Sequence, residues 1–158
     1  MSEETELRNA ENVFKTLCEL LDDNGWHYDR DDENLLISCG VNGDDLPIDI
    51  RIEVDRQRQI IALYSEIPLT VSKDRRAVLA IAVNQANCHI ADGSFDYDYL
   101  NGKILFRITS SYRESIIGKG LLGYMVACAC YTVDRYNDKF LMVAKRDMTL
   151  KEILEFIA

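Results

Sequence analysis

The chain has 158 residues, of which 47% are hydrophobic and 28% charged, and it contains only 8 Gly and 2 Pro. This length predicts a single domain around one buried core, and the composition excludes a disordered, collagen-like or low-complexity chain. With 18 Lys and Arg against 27 Asp and Glu, the formal net charge is −9. Nucleic-acid phosphates and anionic lipid headgroups should repel such a protein, so we expect neither a nucleic acid nor a membrane as partner.

Several features of the sequence predict a cytoplasmic protein. Residues 1–6 are acidic, whereas a secretory signal peptide begins with a positively charged region. The longest uncharged stretch, residues 120–133, is shorter than the roughly twenty apolar residues that span a bilayer. The five cysteines form an odd set without the spacing of a disulfide framework, which favours free thiols in a reducing compartment. They are Cys18, Cys39, Cys88, Cys128 and Cys130.

The first half of the chain predicts one helix followed by an antiparallel meander. Apolar residues recur every three or four positions over residues 6–23, and Gly25 suits the left-handed position that ends a helix. Four extended segments follow, separated by polar turns. They cover residues 26–30, 35–41, 48–55 and 60–67. In the third segment apolar and charged residues alternate strictly, which predicts one buried and one solvated face.

The second half begins with a helix and a hairpin. The helix covers residues 72–87, with Ser72 as its N-cap. Strands over residues 95–99 and 103–109 flank Asn101-Gly102, a dipeptide that strongly indicates a hairpin turn. The basic pairs Arg75-Arg76 and Lys145-Arg146 are interpreted as solvent-exposed helix flanks.

Two further helices complete the chain. The first is long and largely apolar, begins between residues 115 and 119, and continues to about Tyr136. The second covers residues 149–157 and opens with a capping box formed by Thr149 and Glu152.

The order of elements defines an α+β fold in which helices pack on an antiparallel sheet. The sequence has no repeat, no linker and no break in composition. We therefore predict that residues 1–158 form a single domain. Its core covers about residues 6–140, and residues 149–157 form a C-terminal helical appendage.

Two motifs that would indicate a bound ligand do not meet their requirements. Residues 118–123 match the pattern G-x-G-x-x-G, but dinucleotide binding requires a strand that runs directly into the first glycine, and the predicted strand ends near Thr109. The acidic residues within 29–33 lack the glycine and glutamate spacing of a calcium-binding loop. We therefore predict no cofactor and no metal ion.

The small residues of the long apolar helix suggest an interface. Gly120, Gly123, Ala127 and Cys130 recur at helical spacing and form a stripe on one face. Small residues allow a second helix to approach closely, so we predict that this stripe is a homodimer or partner interface. The alternative is that the same face is buried entirely within the chain.

Catalytic motifs are missing from the sequence. It contains two histidines, His27 and His89, and no serine-hydrolase, zinc-protease or phosphate-loop motif. Cys88 and His89 are sequence neighbours, but a nucleophile needs its base nearby in space. We therefore predict no catalytic residue and no enzymatic activity. One alternative is a small-ligand sensor or enzyme with a pocket near His89, and another is a structural subunit of a larger assembly.

The order of elements resembles the type III secretion chaperone-like fold, which consists of a helix, three strands, a helix, two strands and a helix. Within that fold, residues 6–140 are similar to the YbjN family, whose members are labelled as proposed bacterial sensory-transduction regulators. The similarity is carried by Arg76, Asn84, Asn87, residues 93–97, residues 101–107 and the apolar helix that follows. Two features depart from the pattern. Four extended segments precede the second helix instead of three, and the last helix is additional.

The resemblance implies a non-enzymatic protein-binding module, chaperone-like or regulatory, that is often dimeric. Type III secretion chaperones are small acidic proteins that hold an extended segment of their client along sheet and groove surfaces. From this resemblance we expect a bacterial protein that binds another protein through a sheet edge or an apolar groove. The resemblance supplies no catalytic residue.

Overall fold

A computed structural model describes residues 3–158, so Met1 and Ser2 of the acidic N-terminal segment lie outside the described residues. The helices of the described part are α1 (Glu3–Asp23), α2 (Arg76–Asn87), α3 (Lys119–Lys145) and α4 (Leu150–Ile157), and a short 3-10 helix (Lys73–Arg75) precedes α2. The strands are β1 (Asp29–Asp31), β2 (Leu36–Asn42), β3 (Pro47–Asp55), β4 (Ile60–Glu66), β5 (Ser94–Asp98) and β6 (Lys103–Ser111).

The strands form one antiparallel sheet in the order β1-β2-β3-β4-β6-β5. The alternation predicted for β3 is confirmed, because its apolar residues are buried and its charged residues lie on the other side. The buried residues are Ile48, Ile50, Ile52 and Val54. Because successive strand residues point to opposite faces, the sheet has an apolar inner face and a polar outer face.

The helices cover the inner face of the sheet. α1 packs on β3, α2 on β5, and α3 lies between them across β3, β4 and β6, while α4 packs on α2 and α3. The Phe95 ring of β5 contacts Phe106 of β6 and Phe140 of α3 with ring centroids 5.3 and 5.1 Å apart. This edge-on aromatic cluster fixes the hairpin of β5 and β6 to the helix layer. No helix in the described part of the chain is both long and apolar enough to cross a membrane.

The turn and cap residues predicted at Gly25, Gly102 and Thr149 are confirmed. Gly25 and Gly102 both adopt a left-handed φ of 69°. A Cβ on Gly102 would lie 2.4 Å from the Val71 carbonyl oxygen, so this turn requires glycine for space as well as for conformation. In α4 the Glu152 N–H donates to Thr149 Oγ1 at 3.2 Å, and the Thr149 N–H donates to the Glu152 carboxylate at 2.7 Å. These two bonds form the predicted capping box.

α3 is longer than predicted, and α4 packs on the domain. α3 continues past Tyr136 to Lys145, because Phe140 and Val143 extend its buried face. Ile153 and Ile157 of α4 belong to the same buried cluster of side chains.

The predicted first residues of the first strand and of the second helix need correction. The first strand is β1 rather than residues 26–30, because the chain before it turns towards α1, where the Tyr28 hydroxyl donates to Asp22 at 2.8 Å. Ser72 makes no side-chain capping hydrogen bond, since a 3-10 turn separates it from α2.

The interpretation of Arg75-Arg76 as a solvent-exposed flank is wrong. Both side chains are half-buried and satisfy backbone carbonyls at the ends of other elements. Arg75 donates twice to the Val143 carbonyl, at 2.8 and 3.1 Å, and so caps the C-terminal turn of α3. Arg76 donates to the carbonyls of Val71 and Leu100 and ties the tip of the β5–β6 hairpin to the start of α2.

Candidate functional site

The predicted stripe of small residues is divided between two environments. Gly120 and Ala127 are exposed on α3. Gly123 faces α1, where a Cβ added to it would lie 3.8 Å from Leu20 Cδ1. Cys130 is half-buried on the same side as Gly123. One part of the stripe therefore packs within the chain, and the other part faces outward.

Cys130 lies near Cys39 of β2. Burial raises the pKa of the Cys39 thiol to about 11, and the neighbouring Cys130 adds to that rise. Burial also raises the pKa of the Cys130 thiol. Because the thiolate is the reactive form, neither cysteine is activated as a nucleophile or a metal ligand.

The exposed side of α3 is apolar over its first half. Tyr124 and Tyr131 are 49% and 69% exposed, and Leu121 is also exposed. Tyr124 and Tyr131 lie on the same side of the helix as Gly120 and Ala127, because the spacings are those of one helical face, and Leu121 borders it. An apolar helix face thus remains uncovered in the described chain.

The sheet edge formed by β5 is closed at Phe95 by a side chain. The Phe95 N–H donates to Asn87 Oδ1 at 2.8 Å, and Asn87 Nδ2 donates to the Phe95 carbonyl at 2.9 Å. This amide makes the pair of hydrogen bonds that a neighbouring strand would make. Asn87 therefore occupies the place of an added strand and blocks it. In the sequence, Asn87 is one of the residues that carry the family resemblance, and no motif indicates this role.

The opposite sheet edge is open. β1 pairs only with residues 36–38 of β2, so residues 39–42 have β3 on one side and no strand on the other. Within the described part of the chain, no further backbone hydrogen bond reaches the free side of residues 39–42. A strand edge with free N–H and C=O groups is a template for a strand from another chain.

A groove of about 810 Å³ lies on the outer face beside this open edge. Ser38, Arg51 and Tyr64 form a row of cross-strand neighbours along its floor. The Arg51 guanidinium lies 5.5 Å from the centre of the Tyr64 ring and is thereby held over it. The groove is also lined by Asp29, Gly40, Asp49, Glu66 and Leu105.

Gly40 keeps the groove open. It lies opposite Asp49 in the register of β2 and β3. A Cβ at this position would meet Asp49 Oδ1 at 3.4 Å and the Ile48 carbonyl oxygen at 3.8 Å, so the fold has room for a side chain there. Glycine inside a strand often marks a place where another chain approaches closely. The sequence contains this signal, but only the register shows that Gly40 faces the groove.

His89 lines a second, smaller cavity of about 440 Å³ between α2, α3 and the end of α4. Tyr124 donates to the Asp92 carboxylate there, and this bond raises the pKa of Tyr124 to about 12. The Arg135 guanidinium lies 5.3 Å from the centre of the Phe156 ring and has no carboxylate partner among the described residues. The cavity therefore combines aromatic walls with the Arg135 guanidinium and the Asp92 carboxylate.

The other motifs occupy ordinary structural positions. Gly118 is the N-cap of α3, and the loop after Ser111 separates it from β6, so no strand runs directly into the first glycine of residues 118–123. Asp31 accepts hydrogen bonds from the turn that follows it, which lowers the pKa of its carboxyl group. No group of three or more His, Cys, Asp or Glu in the described residues is placed to hold a metal ion.

The sequence matches no known protein-family profile and no curated protein. Solved structures do match it. YbjN from E. coli, a proposed transcription regulator, is similar with a TM-score of 0.55 over 85% of this chain and 90% of YbjN, at 13% identity. A chain of the HopA1-SchA chaperone-effector complex gives a TM-score of 0.50 over 78% of this chain and 92% of its own length, at 18% identity. A chain of the ExsC-ExsE complex gives a TM-score of 0.50 over 78% of this chain and 92% of its own length, at 16% identity.

The fold is type III secretion chaperone-like. This confirms the resemblance drawn from the sequence, and at these identities it concerns the fold alone. The chaperone-like fold of this chain carries a fourth strand before α2 and the extra helix α4, as the sequence indicated.

Proposed function

We propose that the chain is a non-enzymatic protein-binding module of the bacterial cytoplasm, chaperone-like or regulatory, that binds an extended segment of a partner protein. The observation that carries this proposal is the groove on the outer face beside the open edge of β2. The complexes of SchA with HopA1 and of ExsC with ExsE support it, because a similar fold holds another protein in each. Proteins commonly capture extended segments by adding them to an exposed strand.

In the proposed site, both the backbone of β2 and the side chains of the outer face contact the partner segment. The free edge at residues 39–42 offers N–H and C=O groups to an added strand. Gly40 carries no side chain on the outer face, so side chains of the added strand can cross it towards Asp49 of β3. At the other edge Asn87 already satisfies the backbone of Phe95 and so occupies the place where a strand would pair with that residue. One end of the sheet is thus suited to a partner, and the other is protected from it.

The chemistry of the groove supports a binding role without catalysis. Neither histidine lines it, and Cys39, the one cysteine at its margin, has a pKa of about 11 because it is buried. Little thiolate forms at neutral pH, so this residue is a poor nucleophile.

The substitution Gly40→Val tests the site. Valine is well suited to a strand and has space there, so we expect the free energy of unfolding to stay within about 1 kcal/mol of the wild type. Its side chain fills the groove, and we expect partner binding to be lost. The matched control is Thr109→Val, which places the same side chain on the outer face of β6, away from the groove.

The measurement is affinity capture from a lysate of the source organism, quantified by mass spectrometry for wild type, Gly40→Val and Thr109→Val. We expect one or two stoichiometric partners on wild type and Thr109→Val and none on Gly40→Val. Retention by Gly40→Val would place the binding site elsewhere. Absence of any partner on the wild type would contradict the binding function.

The uncovered face of α3 supports a homodimer. Gly120 and Ala127 face outward beside exposed tyrosines, so a second copy can pack there. Ala127→Glu puts a charge in this interface, and we expect it to halve the mass measured in solution by light scattering. Gly123→Leu is a poor test, because the new side chain would disturb the contact with Leu20 of the same chain. A wild-type monomer, or a dimer that survives Ala127→Glu, would contradict the proposal.

A second candidate function is a sensor of a small anionic ligand in the cavity beside His89. Its volume is within the range of ligand pockets, and Arg135 is available to a negative charge. If no protein is captured, a thermal-shift screen of anionic metabolites is the next measurement. A rise in melting temperature that Arg135→Gln abolishes would favour the sensor.

A further inference from the structure

Carboxylates dominate the outer face of the sheet. The cations on this face are Arg51, Lys103 and Arg107, at strand positions that alternate with buried ones. The carboxylates are Asp29, Asp31, Asp49, Glu53, Asp55, Glu66, Asp96 and Asp98. The face therefore has a negative excess of the same sign as the formal net charge of −9.

Each cation on this face is already paired. The pairs are Arg51–Glu53 at 3.2 Å, Lys103–Glu66 at 3.0 Å and Arg107–Asp96 at 2.6 Å. None of these cations is free to neutralise another carboxylate within the described chain.

Most of the remaining carboxylates are satisfied within their own turns. Asp31, Asp55 and Asp98 each accept a backbone N–H from a residue three positions later. Asp29 and Asp49 differ, because neither carboxylate has an ion pair or a hydrogen bond among the described residues. Both line the groove.

The register places these two carboxylates on either side of β2. Asp29 of β1 lies opposite Ser38, and Asp49 of β3 lies opposite Gly40. An extended segment lying in the groove presents alternate side chains to the same side about 7 Å apart. Two basic residues separated by one position can therefore reach both carboxylates.

We infer that the groove selects a basic extended segment, in which Lys or Arg residues alternate with apolar ones and pair with Asp29 and Asp49. This inference rests on the proposed binding function and specifies the partner. The methylene stems of the basic side chains have the half-buried side chains of Tyr64 and Leu105 as contacts, and the apolar residues between them favour the extended conformation. The negative field of the whole chain steers such a segment towards the groove and repels an acidic one.

The test uses three peptides of about ten residues, the length of a long strand, that alternate Val with Lys, with Gln or with Glu. Binding is measured by fluorescence anisotropy of a terminal label. We expect the Val/Lys peptide to bind wild type about tenfold more tightly than the Val/Gln peptide, since two partly exposed ion pairs contribute a factor of this order. The preference should fall as salt is raised, because exposed charge pairs are screened.

Charge-matched variants test whether Asp29 and Asp49 cause the preference for the Val/Lys peptide. Asp29→Asn with Asp49→Asn should remove the preference for Val/Lys and leave Val/Gln binding unchanged. Glu11→Gln with Asp147→Asn, which removes the same charge from exposed residues on the helical side, should keep the preference. Gly40→Val should abolish binding of every peptide.

The outcomes separate this inference from the proposed function. If wild type binds Val/Gln or Val/Glu as tightly as Val/Lys and Gly40→Val binds none, the basic selectivity is wrong and the groove function stands. If peptides bind wild type and Gly40→Val equally, both are wrong. If no peptide binds wild type, the inference is overturned, and the capture experiment decides the function.

Discussion

The hairpins β1–β2 and β5–β6 lie at opposite edges of the sheet and turn in the same way. In each, an aspartate accepts two backbone N–H groups and the side-chain amide of an asparagine three residues later. The pairs are Asp31 with Asn34 and Asp98 with Asn101. The next residue is left-handed, with φ of 51° at Leu35 and 69° at Gly102. Because the turns are alike, the contrast between the two edges comes from what lies beside the strands.

That contrast shows that an edge is closed by tertiary contact. β5 lies beside α2, which supplies Asn87 to close it. β1 ends after three residues with no such helix side chain, and the edge of β2 beyond it is left free. The same turn chemistry therefore serves a protected edge and an open one.

The left-handed residues of the two turns, Leu35 and Gly102, also differ in whether a side chain fits there. At Gly102 a side chain would collide with the Val71 carbonyl. At Leu35 the side chain is 3% exposed in the core, and its burial offsets the roughly 1–2 kcal/mol that the conformation costs. A leucine at this turn anchors β1 to the core although the strand itself is short.

The largest expected effect is at the closed edge. Asn87→Ala leaves the N–H and the carbonyl of Phe95, a residue only 2% exposed, without partners. We expect the free energy of unfolding in urea to fall by about 3 kcal/mol, since an unpaired buried polar group costs about 1–3 kcal/mol. The freed edge should also cause association that increases with protein concentration.

Asn84→Ala is the control for this variant. Asn84 is exposed on the same helix, and its removal should change stability by less than about 0.5 kcal/mol. An Asn87→Ala protein as stable and as well dispersed as wild type would show that the amide does not close the edge.

A smaller effect on stability is expected at the aspartate turns that the two hairpins share. Hydrogen bonds from Asn101 and Asn34 hold the pKa of Asp98 and of Asp31 below the ordinary value of 3.8. The stability that these carboxylates contribute is complete above pH 3.8 and is lost as the pH falls through their lower folded pKa values. We expect the urea midpoint to drop over this acid range in wild type and to drop less in Asp31→Asn with Asp98→Asn.

Asp147→Asn is the matched control, because its exposed carboxylate makes no hydrogen bond in the described chain. It should retain the acid sensitivity of the wild type. Equal sensitivity in the double variant would mean that the two turns do not depend on ionised aspartate.

Much of the fold is predictable because its signals are local. The alternation in β3, the pair Asn101-Gly102 and the capping box of Thr149 and Glu152 each act within a few residues. The end of α3 is missed because polar residues after Tyr136 hide the apolar positions that reach the core further on.

The site is less predictable because it depends on register. Ser38, Arg51 and Tyr64 are distant in sequence and become neighbours only when β2, β3 and β4 pair. The role of Asn87 depends in the same way on where α2 places it against β5. The sequence predicts a sheet edge or groove as the type of surface, and tertiary packing decides which edge.

The turn between β2 and β3 is hydrogen-bonded to the helix layer. The Asp44 N–H donates to Asp134 Oδ1 of α3 at 2.8 Å, and a Cβ on Gly43 would lie 2.2 Å from the same oxygen. The pair of strands that carries the open edge therefore cannot splay away from α3. Because the receiving strand is preorganised, most of the conformational entropy lost on binding is lost by the incoming segment. Affinity should therefore increase with the stiffness of that segment before it binds.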